Sequence, residues 1–376
     1  MADTDPLTDR DGERPAPDGP WREPVRGGHP DARLAAREGI ELLRALLSGE
    51  LPEPPLSRLT GMRLIEFGSG RATFSFPVTG WLCDADGRVP LGPLTIPADA
   101  AMACAIIAGL PAATGLTTTE LALRQVRPAR PGDTVLARAT VLEAGPPVAL
   151  AEVTLTGEDG RLIAHGSSLC VTVPVGAAPA VPDADDRGPA SSAAAPDPWQ
   201  RPAPAPDRSA AFPPGGNATP GAGTGASTGM GAGAGTVVST GPLGRLTGLR
   251  PVSAERGAAT FALPATRWLC APPPGRVQGG AVALLADAAV TAAVQTAAPA
   301  GAVFVPVELK LNYLRPLPSD GREARARAEL VHGGRRVAVA RAEVTDADGR
   351  AIAIATGSAF ATDSAFATGS GAASPS

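Results

Sequence analysis

Two acidic residues interrupt the most apolar segments of this chain of 376 residues. Residues 275–290 read GRVQGGAVALLADAAV and carry Asp287, and residues 87–102 read GRVPLGPLTIPADAAM and carry Asp99 at the matching place. A buried carboxylate is costly unless it is hydrogen-bonded, and such a group can serve as a nucleophile or a general base. Both acids are therefore candidates for catalysis. The alternative is that each is an ordinary helix-surface acid at a domain boundary.

The loop in front of the second acid supplies further candidate groups. Gly279 and Gly280 precede the apolar segment, so their backbone N–H groups would lie at the positive end of a helix dipole, where they can stabilise an oxyanion. The side-chain amide of Gln278 can donate to a carbonyl or hold a water. A simple tight turn is the alternative interpretation of the two glycines.

The spacing between loop and acid restricts how they can cooperate. Asp287 lies seven residues beyond Gly280, which corresponds to roughly 10 Å along a helix, so one substrate carbonyl cannot contact both. If two such helices pair in antiparallel fashion, the loop of one lies beside the acid of the other. This arrangement predicts an active site between two units.

An internal repeat supplies the two units. ATFSFPVTGWLC (72–83) matches ATFALPATRWLC (259–270), and TELALRQVRP (119–128) matches VELKLNYLRP (307–316). The offset of 188 residues holds without a gap from Arg88 and Arg276 to Pro128 and Pro316. The chain therefore contains two copies of one fold of about 115 residues.

Each copy follows the order strand, strand, helix, four strands, as judged from alternating apolar residues and turn signals. The helix is apolar on all sides, which predicts an α+β fold with a mostly antiparallel sheet wrapped round one core helix. In copy 1 this helix is expected at about 95–108, because Pro97 is typical of a first turn. Asp99 would then lie near the helix N-terminus with a lowered pKa.

Composition shifts divide the chain into six parts. The predicted parts are a disordered tail (1–30), an amphipathic helix with a Pro-rich connection (31–55), a first domain (56–174), a low-complexity linker (175–242), a second domain (243–362) and a disordered C-terminal tail (363–376). Each copy of the repeat thus corresponds to one predicted domain.

The overall composition excludes several classes of function. The net charge of −4, the 3% aromatic content and the lack of a basic stripe argue against nucleic-acid binding. Four cysteines without a CxxC spacing predict neither a zinc site nor a disulfide scaffold. The N-terminus has no signal-peptide pattern, and the apolar runs are shorter than a membrane span. We expect a cytoplasmic protein that has no membrane partner.

The motifs together resemble the hotdog-fold acyl-CoA thioesterases of the phenylacetyl-CoA (PaaI-like) family. The resemblance rests on Gly279-Gly280, the helix with Asp287, the strand ending in NYLRP (312–316) and the segment AEVTDADGRAIAIATG (342–357). It implies two tandem hotdog domains, an acyl-CoA substrate, and thioester hydrolysis without a metal or bound cofactor. The fusion would form an intramolecular pseudo-dimer, and further homo-oligomerisation is also compatible with it.

The resemblance also implies the roles of individual residues. Asp99 and Asp287 match the family acid, which attacks the thioester or activates water. Gly279 and Gly280 match the loop glycines. The sequence departs from the family pattern at several positions. In copy 2, Gln278 replaces the loop His and Pro272 replaces an Asn, and in copy 1 the loop is Pro90, Leu91 and Gly92. The family's Ser/Thr position holds Thr118 in copy 1 and Pro306 in copy 2.

These departures predict one competent site and one degenerate site. The competent site combines Asp99 and Thr118 of copy 1 with Gln278, Gly279 and Gly280 of copy 2. The degenerate site contains Asp287 and Gly92. Thr117, Thr291 and Arg315 are predicted to contact substrate. Arg315, Arg124 and Arg127 are candidates for coenzyme A phosphates, with solvated strand charges as the alternative.

Two functions fit this pattern. The first is an acyl-CoA thioesterase, and the second is a non-catalytic acyl or coenzyme A binder or structural protein, because the family His and Asn are absent. A hotdog dehydratase is disfavoured, because no histidine lies near either acid in the sequence. Loss of turnover on neutralising Asp99 would discriminate the enzyme from the binder.

Overall fold

The computed structural model describes residues 37–174, 240–270, 275–299 and 302–362. The predicted tails at 1–30 and 363–376, most of the predicted linker, and Pro272 lie outside these residues. The described helices are α1 (Gly39–Leu47), α2 (Pro55–Thr60), α3 (Leu91–Ile107), α4 (Gly241–Thr247) and α5 (Gly279–Thr296), with 3₁₀ turns at Gly80–Leu82 and Arg267–Leu269.

Twelve strands form one continuous antiparallel sheet. Copy 1 contributes β1 (Arg63–Gly68), β2 (Arg71–Pro77), β3 (Thr114–Gln125), β4 (Thr134–Gly145), β5 (Val148–Gly157) and β6 (Leu162–Pro174). Copy 2 contributes β7 (Arg250–Glu255), β8 (Ala258–Pro264), β9 (Val303–Tyr313), β10 (Glu323–Gly333), β11 (Val337–Thr345) and β12 (Ala351–Thr362). The order β1-β2-β4-β5-β6-β3-β9-β12-β11-β10-β8-β7 confirms the predicted α+β double-hotdog fold.

The two copies join where β3 pairs with β9. Ala122 pairs with Lys310, and these two residues are equivalent in the repeat, so they mark a pseudo-two-fold axis. Ion pairs at this seam, such as Arg124 with Glu308 at 3.0 Å, are half exposed and contribute little. Fully buried leucines on the inner face stabilise the seam more, for example Leu121 opposite Leu311.

The helices α3 and α5 form the centre of the core. They pack against each other and against the inner face of the sheet, and most of their residues are buried. The helix α5 is long and apolar enough to cross a membrane by composition, but 72% of it is buried inside the molecule, as a core helix would be. Each acid therefore lies between two helices in the interior.

The structure differs from the predicted local structure in the start of α3 and in two short helices. The helix α3 begins at Leu91 rather than near residue 95, so Pro97 lies within the helix and Asp99 lies near its middle. The short helices α2 and α4 were not predicted, and α4 begins inside the segment assigned to the linker. They dock reciprocally: Leu56 N–H donates to Cys270 O at 3.3 Å, and Leu243 N–H donates to Cys83 O at 3.0 Å.

Candidate active site

Asp99 is buried between the two copies and accepts two hydrogen bonds. The Gly280 N–H donates to Asp99 Oδ2 at 3.1 Å, and the Thr118 hydroxyl donates to Asp99 Oδ1 at 3.3 Å. The side chain is only 5% exposed. The structure thus brings together the acid and hydroxyl of copy 1 with the loop of copy 2.

The Gly280 amide orients the acid, which differs from its predicted role as an oxyanion donor. A side chain at Gly280 would have its Cβ 2.5 Å from Thr95 O and 2.7 Å from Ile96 Cα, so only glycine allows α5 to approach α3 this closely. The close approach places the amide within reach of Asp99. Gly280 therefore has a packing function and a positioning function at once.

Gly279 lies directly beside the carboxylate. A Cβ at this position would lie 3.1 Å from Asp99 Oδ2 and 3.4 Å from the Tyr313 hydroxyl. Within the described residues, the Gly279 N–H has no hydrogen-bond partner. It is therefore the backbone donor of this loop that is available to a substrate oxygen.

Tyr313 belongs to the site and was not singled out from the sequence. Its hydroxyl donates to Gly279 O at 2.8 Å and so fixes the orientation of the Gly279–Gly280 peptide group, whose N–H donates to Asp99. Tyr313 is the single tyrosine of the chain and opens the YLRP segment, which was the signal that could have identified it. Burial, and then the charge of Asp99, raise its pKa well above 10, so the phenol stays protonated.

Gln278 connects the loop to α3. Its Nε2 donates to Ile96 O at 3.1 Å, across the two copies. Its Oε1 is buried and has no hydrogen-bond partner in the described part of the chain. A buried unpaired acceptor costs free energy, which a bound donor such as a water or a substrate amide would recover.

The environment makes Asp99 a stronger base than an ordinary carboxyl group. Burial raises its pKa from 3.8 to about 6, and the hydrogen bonds from Gly280 and Thr118 limit the rise. The expectation of a lowered pKa was wrong, because Asp99 lies in mid-helix and not at the N-terminus. A base with a pKa near neutrality suits proton transfer at physiological pH.

A cavity of about 740 Å³ opens onto this group. Asp99, Thr117, Thr118, Gln278 and Gly279 all line it. Several apolar residues of α1 and β1 line it as well. This volume falls within the range of small-molecule sites in proteins, which is about 300–1,000 Å³.

The second acid has a similar hydrogen bond but different surroundings. The Gly92 N–H donates to Asp287 Oδ2 at 2.9 Å, and burial raises the pKa of Asp287 to about 7. Leu91, at the position equivalent to Gly279, is fully buried, and Pro306 replaces the hydroxyl of Thr118. Neither Asp287 nor Gly92 lines the cavity.

Thr291 is also absent from the residues that line the cavity. Its hydroxyl is buried and unpartnered within the described residues. The structure therefore places Thr291 away from the Asp99 site, unlike Thr117.

The arginines divide into two groups. Arg315 lines the cavity; it is exposed and donates to Ala351 O at 2.8 Å. Arg124 and Arg127 do not line the cavity. Arg124 pairs with Glu308, and Arg127 donates to Leu162 O. Arg276 was not predicted, yet it lines the cavity next to the loop. It is half-buried, burial lowers its pKa, and it has no acid partner in the described ranges.

Comparison with known proteins agrees with the fold. The family model described as the thioesterase superfamily matches residues 97–164 and 274–353, one segment in each copy. A conserved protein of Pseudomonas aeruginosa is 34% identical, with 32% of this chain and 92% of that chain covered and a TM-score of 0.30. A mutant of the phenylacetic acid degradation protein PaaI from Thermus thermophilus is 31% identical, with 32% and 97% covered and a TM-score of 0.29.

A longer structure aligns with more of the chain. The acyl-CoA thioesterase II TesB2 of Mycobacterium marinum is 10% identical, with 80% of this chain and 95% of that chain covered and a TM-score of 0.48. A search of curated proteins found no match. Both copies of the repeat thus contain a segment that matches the thioesterase superfamily.

Proposed function

We propose that this protein hydrolyses an acyl-CoA thioester at a site formed by Asp99 and Thr118 of copy 1 and the loop Gln278–Gly280 of copy 2. The observation that carries the proposal is the pairing of a buried acid with a glycine amide across the two copies, at the wall of a cavity. The resemblance of the sequence motifs to PaaI-like proteins supports a PaaI-like assignment, and the internal repeat supports the tandem arrangement. We infer a cytoplasmic enzyme, with acyl-CoA as its ligand.

The reaction uses Asp99 in one of two ways. As a general base, its carboxylate takes a proton from water, the water oxygen bonds to the thioester carbon, and the C–S bond breaks as the sulfur accepts the proton. As a nucleophile, the carboxylate itself displaces the thiolate, and water then hydrolyses the anhydride. In both, the Gly279 N–H stabilises the oxyanion.

The remaining groups hold the reacting atoms in place. Thr118 and Gly280 orient the two oxygens of Asp99, and Tyr313 orients the Gly279–Gly280 peptide group that carries the Gly280 N–H. Arg276 is available to an anionic group of the ligand, such as a phosphate of coenzyme A, because no carboxylate of the described residues neutralises it. Arg315, which follows the C-terminal end of β9, lines the same cavity.

Protonation of Asp99 sets the acidic limb of the pH profile. The carboxylate form is required in both mechanisms, so kcat/KM should fall as the pH falls through about 6, the value to which burial raises the pKa of Asp99. A pH–rate profile from pH 5 to 8 measures this limb. An acidic limb centred near pH 4 would contradict the assignment of the buried acid.

The decisive test is thioester cleavage on a panel of acyl-CoA substrates by the wild-type protein and Asp99→Asn. Loss of thioester absorbance is the suitable readout, since four cysteines would react with a thiol reagent. Turnover that is lost in Asp99→Asn while ligand affinity persists supports the enzyme. No turnover on any substrate, with binding intact, supports the non-catalytic binder.

A further inference from the structure

The cavity extends well beyond the reacting groups, along one face of α3. Asp99, Ala103 and Ile107 follow each other at intervals of four residues, so they lie on the same face, and all three line the cavity. Eight residues separate Asp99 from Ile107, which is about 12 Å along a helix. The cavity therefore has a long arm that begins at the acid.

The walls of this arm are mostly apolar, although Glu53, Ser57 and Arg63 also line the cavity. Leucines of α1 and the residues that follow it form the side opposite α3, and they are Leu42, Leu43, Leu46, Leu51 and Leu56. Met62, Leu64 and Phe74 contribute from the strand side. Burial raises the pKa of Cys104 to about 12, so its thiol stays protonated and the wall beside it is uncharged.

A glycine contact holds α1 in this position. The Gly39 N–H donates to Leu110 O at 3.1 Å, beyond the end of α3. A Cβ at Gly39 would lie 1.7 Å from Ile107 O, so only glycine allows the two helices to meet. The start of α1 is thus anchored beside Ile107, at the end of the α3 face that lines the cavity.

The equivalent face of α5 in copy 2 is polar. The residues equivalent to Asp99, Ala103 and Ile107 are Asp287, Thr291 and Gln295, and none of them lines the cavity. Gln295 is engaged with the backbone, since its Nε2 donates to Ala302 O at 3.1 Å and its Oε1 accepts from Phe304 N–H at 3.2 Å. The aliphatic face is a property of copy 1 alone.

From these contacts we propose that the arm between α1 and α3 binds an unbranched aliphatic acyl chain, and that α1 sets its maximal length. The inference rests on the proposed thioester hydrolysis at Asp99. An extended chain of roughly eight to ten carbons fits the span from Asp99 to Ile107. The coenzyme A end of the thioester then points to the opposite side of the cavity, where Arg276 and Arg315 lie.

The first experiment measures kcat/KM for saturated acyl-CoA substrates of two to sixteen carbons and for phenylacetyl-CoA. The expected result is a rise of about threefold to fourfold for each methylene up to eight to ten carbons, followed by a plateau or a fall. Phenylacetyl-CoA should be slower than the optimal alkyl substrate. Rates that do not depend on alkyl length, or that are highest for phenylacetyl-CoA, would overturn the inference and leave hydrolysis in place.

The second experiment shortens the arm with Ala103→Leu. Ala103 is half-buried and faces the cavity, so the added carbons occupy the arm and do not enter the packed core. We expect at least a tenfold loss for chains of eight or more carbons and less than a twofold change for acetyl-CoA. Ala254→Leu, the same substitution at an exposed position of β7, is the control and should leave the profile unchanged. An equal loss at every chain length would contradict the proposal.

Binding separates this inference from the proposed activity. In Asp99→Asn, the Kd of the same acyl-CoA series, measured by calorimetry, should fall with chain length up to the same limit, and Ala103→Leu should abolish that trend. If the wild-type protein cleaves no thioester but binds with this length dependence, hydrolysis is refuted and the acyl arm stands. If binding shows no dependence on chain length, the acyl arm is refuted.

Discussion

The two copies bury equivalent acids that accept equivalent hydrogen bonds, yet they surround them differently. Asp99 accepts a hydrogen bond from Gly280 N–H, and Asp287 accepts one from Gly92 N–H, so the acid of each copy is bonded to a backbone amide of the other copy. Beside Asp99 there are a glycine, a threonine hydroxyl and a cavity. Beside Asp287, the equivalent loop and strand positions hold a buried leucine and a proline.

This difference separates the structural role of the acid from its chemical role. The hydrogen bond between each acid and the opposite glycine contributes to the packing of α3 on α5 in both copies. Chemistry additionally requires an approach to the carboxylate and a donor for the substrate oxygen. Gly279 can provide both beside Asp99, whereas its equivalent beside Asp287 is the buried Leu91. An acid retained in both copies is therefore insufficient evidence for two active sites.

The largest expected effect compares the two acids directly. Asp99→Asn should lower kcat/KM on the best acyl-CoA substrate by about 10²–10⁴-fold, because it removes the base or nucleophile. Asp287→Asn should leave kcat/KM within twofold of the wild-type value. Steady-state kinetics of both variants on one substrate provides the measurement. A comparable loss in both would mean that the second site is also active.

A methyl group beside the acid should have the next largest effect. Gly279→Ala places a Cβ 3.1 Å from Asp99 Oδ2, in the space that the substrate carbonyl would occupy. We expect a loss of about 10–100-fold in kcat/KM, because small displacements of reacting atoms are costly, with little change in Tm. At Gly92, the equivalent of Gly280, an added Cβ would lie 2.9 Å from Leu284 Cδ1, so Gly92→Ala should instead lower Tm and retain activity. Full activity in Gly279→Ala would show that substrate does not approach from this side.

Arg88 and Arg276 are equivalent in the repeat, and their substitution tests which end of the cavity binds coenzyme A. Arg276 has no acid partner among the described residues, whereas its equivalent, Arg88, pairs with Asp86 at 2.7 Å. Arg276→Ala should raise KM for acyl-CoA about tenfold, as expected from the loss of one charge-assisted contact. It should have little effect on acyl thioesters of a short thiol that lacks phosphate.

Arg88→Ala is the matched control for this prediction, and its KM should equal that of the wild-type protein. Equal effects of Arg276→Ala on both classes of thioester would indicate that the guanidinium acts on the acyl side. In that case, the orientation proposed for the ligand would be reversed.

The smallest effect concerns stability, and it has a defined sign. Burial raises the pKa of Asp287 to about 7, above the ordinary 3.8, so between these values the folded protein binds a proton that the unfolded chain does not. Stability is therefore lost as the pH rises through this window. Asp287→Asn keeps an acceptor for Gly92 N–H and removes this cost, so it should raise the stability at pH 8 by about 1–3 kcal/mol.

Thermal unfolding at pH 5 and pH 8 measures this effect. The gain in Tm should be larger at pH 8, where the wild-type Asp287 is ionised, and small at pH 5, where it is protonated. A gain that is equal at both values would contradict the burial of an ionised carboxylate.

Much of the fold was predictable because its signals are local. The segments TTTELALRQVRP and VALAEVTLTGEDGR alternate between apolar and polar residues and form β3 and β5 as expected. The repeat then required that the second copy have the same order of elements. The N-terminus of α3 was not predictable, because it depends on packing against α5 where Gly92 and Gly280 permit close approach.

The site was predictable as far as residue types and spacing extend. The structure brings Asp99 and Thr118 together with the loop Gln278–Gly280. The separation of loop and acid along one helix had indicated that two helices must pair in antiparallel fashion to bring them together. The contributions of Tyr313 and Arg276 depend on contacts between distant segments. The aliphatic arm depends on the docking of Gly39 against Ile107, which lies 68 positions further along the chain.

The continuous seam between β3 and β9 has a consequence for how such a molecule can diverge. In a homodimer every substitution occurs twice, so a leucine in place of the loop glycine would close both sites together. Covalent fusion removes that constraint, and each half can then change independently while the other remains functional. It also makes assembly of the site intramolecular, so activity per molecule should persist on dilution, unlike that of a dissociable dimer.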